Sequence, residues 1–306
     1  MNNAIRVINK STLKYICQTC KGYFDTIILG HEACPHFYNL SNIDEMITMA
    51  LEAGFKVKVN IPTLFEQYLD EFKKECDRLI NTYPDVKLIL NDWGIIYYLH
   101  NKWPNIKFAV GKGVSFSYGD CPWNQDIIRE EKEEYQSIFM GHNMESDYVM
   151  GILKQTNIDE IELSDTKMCA SAYKRYQENG FSVSVNEKMC VVSVTRACHT
   201  LRYLDKLDIL GNQCMEHCVK PTKIKTSQYF DMILQENKPV SKETSKIQPE
   251  TIYHGNLLLL ENQDCNTQFN YVDTLIIDER IYIGDDERLY KTIEEKINNV
   301  KNHERG

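Results

Sequence analysis

Long apolar runs are absent from the chain. The longest aliphatic stretch is Leu257–Leu260, far short of the roughly 20 apolar residues a membrane-spanning helix needs. No secretion signal is evident at the start: residues 1–11 mix Asn, Arg and Lys with isolated apolar residues, and no apolar region follows them. A basic excess is also lacking. With 35 Lys and Arg against 44 Asp and Glu, the formal charge of -9 argues against nonspecific nucleic-acid binding, which needs cations to displace phosphate counterions. The basic run KPTKIK at 220–225 reads as a solvated face. Missing too are G-x-x-x-x-G-K-[ST] and G-x-G-x-x-G, the loops that cradle phosphates, and the G-x-S-x-G and H-E-x-x-H patterns of serine and zinc peptidases.

Cysteine, by contrast, is plentiful. Eleven residues without an export signal point to a reducing, cytoplasmic setting in which thiols stay free or bind metal. The hydrophobic fraction of 42% and the dispersed charge allow a packed core and speak against disorder.

Short β-like runs alternate with amphipathic stretches, the pattern of a parallel sheet with helical crossovers. Residues 25–29 form the first clear strand and end at Gly30; Ile43, Met46, Ile47, Ala50 and Leu51 then recur at helical spacing. Asn42 with Glu45 three residues later has the form of a capping box, and Gly54 suits a left-handed C-cap. Strands are expected at 56–61, 86–90, 106–110, 137–141, 160–163 and 181–185, with helices at 64–82, 144–155 and 166–179. Late strands at 256–260 and 272–277 are expected to close the sheet, before a C-terminal helix at 287–300. The fold class is thus α/β, a TIM-type barrel spanning 1–306 as a single domain. It carries a cysteine-rich segment at 190–220, a polar connection at 235–250, and a strand and helix at 272–300. Residues 111–136, with GDCPW and REEKEEY, read as a long loop with a helix.

The sharpest chemical signal is Cys198-x15-Cys214-x3-Cys218, with Cys190 eight residues before Cys198. On a helical turn, Cys214 and Cys218 would share one face. Four thiolates can hold a tetrahedral zinc or a 4Fe-4S cluster, and the presence of one close pair rather than two favours the cluster. Arg196, His199, Arg202, His217 and Lys220 accompany the thiols, and nearby cations lower thiol pKa values. An isolated cysteine is usually a buried small hydrophobe, the reading given to Cys190 within MCVVSV; it is held as a reserve ligand. Cys17-x2-Cys20 has the spacing of a redox or metal pair but lacks a second pair.

At these residues the chain resembles peptidase family U32, and within it the small cluster-binding proteins of oxygen-independent ubiquinone hydroxylation. The resemblance rests on Leu29, Gly30 and Cys34 after an early strand, then Arg196-Ala197-Cys198, Arg202, Cys214 and Cys218. Between them, Asp92-x-Gly94, Gly141-His142 and Glu162-Leu163-Ser164 recur in order. It runs over about residues 24–225, with Arg196-Ala197 in inverted order and a longer segment between 111 and 137. The resemblance implies a ligand set of Cys34, Cys198, Cys214 and Cys218 for a 4Fe-4S cluster. It also implies a role in oxygen-independent hydroxylation of a small molecule or of RNA bases, with the oxygen drawn in some members from prephenate. A U32-family partner subunit, joined as a heterodimer, is implied as well. Alternatives are a noncatalytic cluster-bearing subunit or one stabilised by structural zinc. His31, Glu32, Asn91, Asp92 and His142 fall at expected strand ends, where barrel active sites form, and are weak candidates for positioning a substrate.

Overall fold

The computed structural model describes residues 1–40, 42–117, 134, 141–166, 170–203, 214, 218, 221–225, 250–261, 269–282 and 285–303. Eight parallel strands close into a barrel: β1 (Asn2–Arg6), β2 (Thr26–Gly30), β3 (Lys56–Ile61), β4 (Lys87–Leu90), β5 (Phe108–Val110), β6 (Ile158–Ser164), β7 (Ser182–Asn186) and β12 (Thr274–Asp278), the last pairing with both β7 and β1. The α/β TIM-type architecture is therefore present.

The strand sequences explain the closure. In β3, Val57, Val59 and Ile61 join the main core, while Lys56, Lys58 and Asn60 alternate toward the lumen. The same period places Ala4, Ile28, Ile89, Ala109 and Ile276 together as an apolar plug inside the barrel. Below it Lys58 and Lys87 pair with Glu160. Burial opposes the Glu160 charge, yet the two lysines hold that carboxyl down to about 2. Above the plug, at the C-terminal strand ends, lie Arg6, Asn60, Glu162, Asn186 and Asp278, all buried.

Helices α1 (Lys10–Thr19), α2 (Pro35–Leu40), α3 (Ile43–Glu52), α4 (Glu66–Thr82) and α5 (Trp93–Lys102) follow the first four strands. Then come α6 (Asp147–Gln155), α7 (Ala170–Glu178), the short α8 (His199–Tyr203) and α9 (Asp286–His303). Ser146 sets the start of α6, its side chain accepting from the Val149 amide. Between β7 and β12 the chain leaves the barrel to build an antiparallel sheet in the order β8 (Met189–Val194), β11 (Leu257–Glu261), β10 (Glu250–His254), β9 (Thr222–Lys225).

Several expectations are corrected. The strand near 256–260 does not close the barrel; it is β11, an inner strand of the antiparallel sheet, and its unbroken apolar run fits a strand covered on both faces. A strand precedes Asp25: β1 was not evident because Ile5 alone supplies an outward core side chain, with Ala4 and Arg6 turned to the lumen. Asn42 is no backbone cap. At φ 47 it is left-handed rather than extended, and its amide bonds the Glu45 side chain instead. The expected strand at 137–141 ends in Gly141, which is in no strand, and its other residues lie outside those described, as do 235–249. No helix among the described residues is long and apolar enough to cross a membrane.

Candidate metal centre at the C-terminal rim

Gly30 ends β2 with φ 81, and a Cβ there would stand 2.8 Å from the Asn60 carbonyl oxygen of β3. Only glycine lets the chain turn so close to its neighbouring strand. The turn leads into His31, Glu32 and Cys34 at the C-terminal face, where barrel enzymes assemble their sites. Cys34 directly precedes α2, and its Sγ accepts from the Phe37 amide at 3.4 Å. Cys198 stands in the same relation to α8, accepting from the Leu201 amide at 3.4 Å. Both sulfurs thus face backbone donors, which favour a thiolate.

The turn between β10 and β11 joins these two segments. Asn256 donates to the Ala33 carbonyl at 3.2 Å and to the Arg196 carbonyl at 2.9 Å. Gly255 exchanges hydrogen bonds with Thr200, through its amide to Oγ1 at 3.1 Å and its carbonyl to the Thr200 amide at 3.3 Å. A Cβ on Gly255 would lie 3.6 Å from Cys218 Sγ and 3.8 Å from Cys34 Sγ, so both sulfurs flank one point. Cys198 and Cys214 are within electrostatic reach of both. Residues implied as a set by the resemblance are thereby gathered from three separate segments. Among the described residues, no three His, Cys, Asp or Glu side chains close to the spacing of a single bound ion.

Burial pushes the Cys34 and Cys218 thiols up to about 12, with the neighbouring cysteines adding to the rise. Cys198 is raised as well, mainly by burial. As free thiols they are protonated at neutral pH, so any metal bound here displaces protons. The donor set fits a soft centre: four sulfurs, two of them at helix starts. Arg196 is anchored by its Nε bond to the Leu64 carbonyl and lies 3.9 Å from Asp92.

Beside the thiols, a charge network fills the barrel mouth. Arg280 binds Glu32 through Nη1 at 2.8 Å and Nη2 at 2.7 Å, and Asp278 through Nε at 2.8 Å. Arg6 bonds Glu32 as well, and Glu162 at 2.6 Å. Burial opposes the Glu32 charge, but Arg280 and Arg6 outweigh it and hold the carboxyl far below the usual carboxylate range. Glu32 therefore stays ionised and saturated with donors, an anchor rather than an acid or base.

The remaining candidates divide. His31 Nδ1 accepts the Ala33 and Cys34 amides, at 3.0 and 3.1 Å, and so shapes the Cys34 turn. Burial lowers its pKa to about 4. Asp92 caps α5 through the Gly94 amide at 2.8 Å and receives the Leu64 amide at 3.2 Å. Asn91 ties Ile61 to Gly113. His142 looks at first like the base of a serine hydrolase, with Nε2 3.2 Å from Ser115 Oγ and Nδ1 2.5 Å from the Tyr176 hydroxyl. The proton directions are wrong for it. Ser115 donates to the Glu162 carbonyl at 2.8 Å, so Nε2 carries the hydrogen and Nδ1 accepts, an assignment made from the bonding network. Cys190, in β8, donates to the Asp165 carbonyl within the core. Cys17 and Cys20 belong to α1 and its C-cap, with Cys17 donating to the Met49 carbonyl.

Gly255, Asn256, Arg6, Asp278 and Arg280 were not singled out from sequence. Gly-Asn between apolar runs signals a hairpin, but nothing local shows what the turn touches. No protein-family model matches the chain, and no curated protein matches it.

Proposed function

We propose that the chain holds a 4Fe-4S cluster on Cys34, Cys198, Cys214 and Cys218. As a member of peptidase family U32, it would take part in oxygen-independent hydroxylation of a small-molecule or RNA acceptor, beside a partner subunit of the same family. The observation that carries this reading is that Cys34 and Cys218 flank Gly255 at the C-terminal rim, with Cys198 and Cys214 within electrostatic reach of both. A bound cluster supplies one-electron chemistry. The protein's part is to place the sulfurs through the Asn256 turn, to supply amide donors at Cys34 and Cys198, and to keep the barrel mouth charged and dry.

A second reading has its own support. Arg6, Arg280, Glu32 and Asp278 pair with one another inside the mouth, which suits a cluster-bearing subunit that serves a catalytic partner. The test is hydroxylation under strict exclusion of oxygen, with the partner alone, with the partner plus this chain, and with the partner plus Cys34→Ala. Turnover only with the intact chain supports participation. Full activity of the partner alone removes it. A colourless protein with one tightly held zinc would make the centre structural.

A further inference from the structure

We propose that His254 donates a hydrogen bond to a sulfur of the centre held by the four cysteines and thereby sets its reduction potential, a role that rests on the cluster reading above. His254 ends β10 and immediately precedes Gly255, the residue flanked by Cys34 and Cys218. Its ring is fully buried, and neither ring nitrogen has a hydrogen-bond partner. A neutral imidazole carries one N–H, and leaving it unpaired in a dry site is unfavourable. The ring is also fixed in place. It packs 4.7 Å from the His31 ring and 4.7 Å from the Phe37 ring, centroid to centroid. Those neighbours both serve Cys34, His31 by accepting its amide and Phe37 by donating an amide to its sulfur.

Two neighbouring acceptors are taken. Glu32, whose field reaches the ring, has both oxygens bound by arginines. His31 Nδ1 is filled by two amides. The sulfurs beside Gly255 are the acceptors assigned to the ring, and hydrogen bonds to cluster sulfurs are a principal control on potential. His254 is accordingly a positioning residue that acts on the centre's electronics.

The test compares anaerobically purified wild type with His254→Leu and His254→Gln, by iron content, reductive titration and pulsed electron paramagnetic resonance of protein labelled with 15N-histidine. The expected result is equal iron in all three. The Leu variant should be about tenfold harder to reduce at a fixed ambient potential, a fall of about 59 mV for one electron. The Gln variant, which keeps a donor, should stay close to wild type. The reduced wild type should show a histidine nitrogen coupling that His254→Gln lacks. An unchanged potential in a fully loaded Leu variant overturns the inference and leaves the cluster reading standing. If the Leu variant fails to load, absence of the nitrogen coupling in wild type overturns it equally. No iron in wild type overturns both.

Discussion

On the proposed cluster reading Asn256 clamps the site, and removing its side chain should weaken metal binding as well as the fold. In Asn256→Ala the bonds to the Ala33 and Arg196 carbonyls are lost, each a net contribution of about 1 kcal/mol. The Arg196 carbonyl can be rehydrated, but Ala33 is fully buried, and its orphaned oxygen adds about 1–3 kcal/mol. The loss of roughly 3–5 kcal/mol falls on the contact that holds the Cys34 loop to the Cys198 segment. Metal affinity should therefore drop roughly 10- to 100-fold, as it does when the outer partners of metal ligands are removed. The assay is competition for zinc between a chelator and the metal-free protein, with thermal unfolding in parallel. Thr251→Val provides the control, since it removes a buried bond to the Ile224 carbonyl in the same sheet and should cost stability without weakening metal binding. Equal affinity in Asn256→Ala and wild type would refute the clamp.

Three further outcomes are expected. Arg280→Met leaves Glu32 and Asp278 short of their partner in a fully buried site and should destabilise by about 3–5 kcal/mol, read by denaturant unfolding; a loss below about 1 kcal/mol would contradict the network's role. Gly30→Ala meets both a left-handed φ and the Asn60 carbonyl, so a fall in Tm of several degrees is expected, and an unchanged Tm would show that β2 and β3 can separate. Burial holds His31, His254 and His142 below their ordinary range, so the unfolded chain binds protons below about pH 6.5 that the folded chain refuses. Stability should fall as pH drops from 7 toward 4.5, with Glu279, raised to about 7 by burial, opposing as a single group against three. A midpoint that does not move over that range would refute it.

The barrel was legible where one side of a strand packs outward and the other faces the lumen. KVKVNI in β3 shows both faces in six residues, and α4 is announced by its apolar stripe through Phe72, Cys76 and Leu79. β1 was hidden because a five-residue strand with Asn2, Asn3 and Arg6 resembles coil until β12 and β2 pair with it. The detour into the antiparallel sheet was hidden for another reason: Leu257–Leu260 looks the same as a buried barrel strand. At the site, the thiols were visible as residues but their meeting was not. The clamp connects Ala33 and Asn256 across 223 positions, and no local pattern encodes such a contact. His142 shows the converse, since its strand-end position suggested chemistry, whereas the direction of the Ser115 hydrogen bond assigns it to packing.

The most direct test of the central claim is the iron, acid-labile sulfide and zinc content of protein purified without oxygen, for wild type and for Cys34→Ala, Cys198→Ala, Cys214→Ala, Cys218→Ala and Cys190→Ala. The account expects about four irons and four sulfides per chain in wild type, loss in each of the first four variants, and retention in Cys190→Ala, whose thiol is bonded within the core. One zinc without iron or sulfide, or iron that survives loss of any one of the four cysteines undiminished, would contradict it.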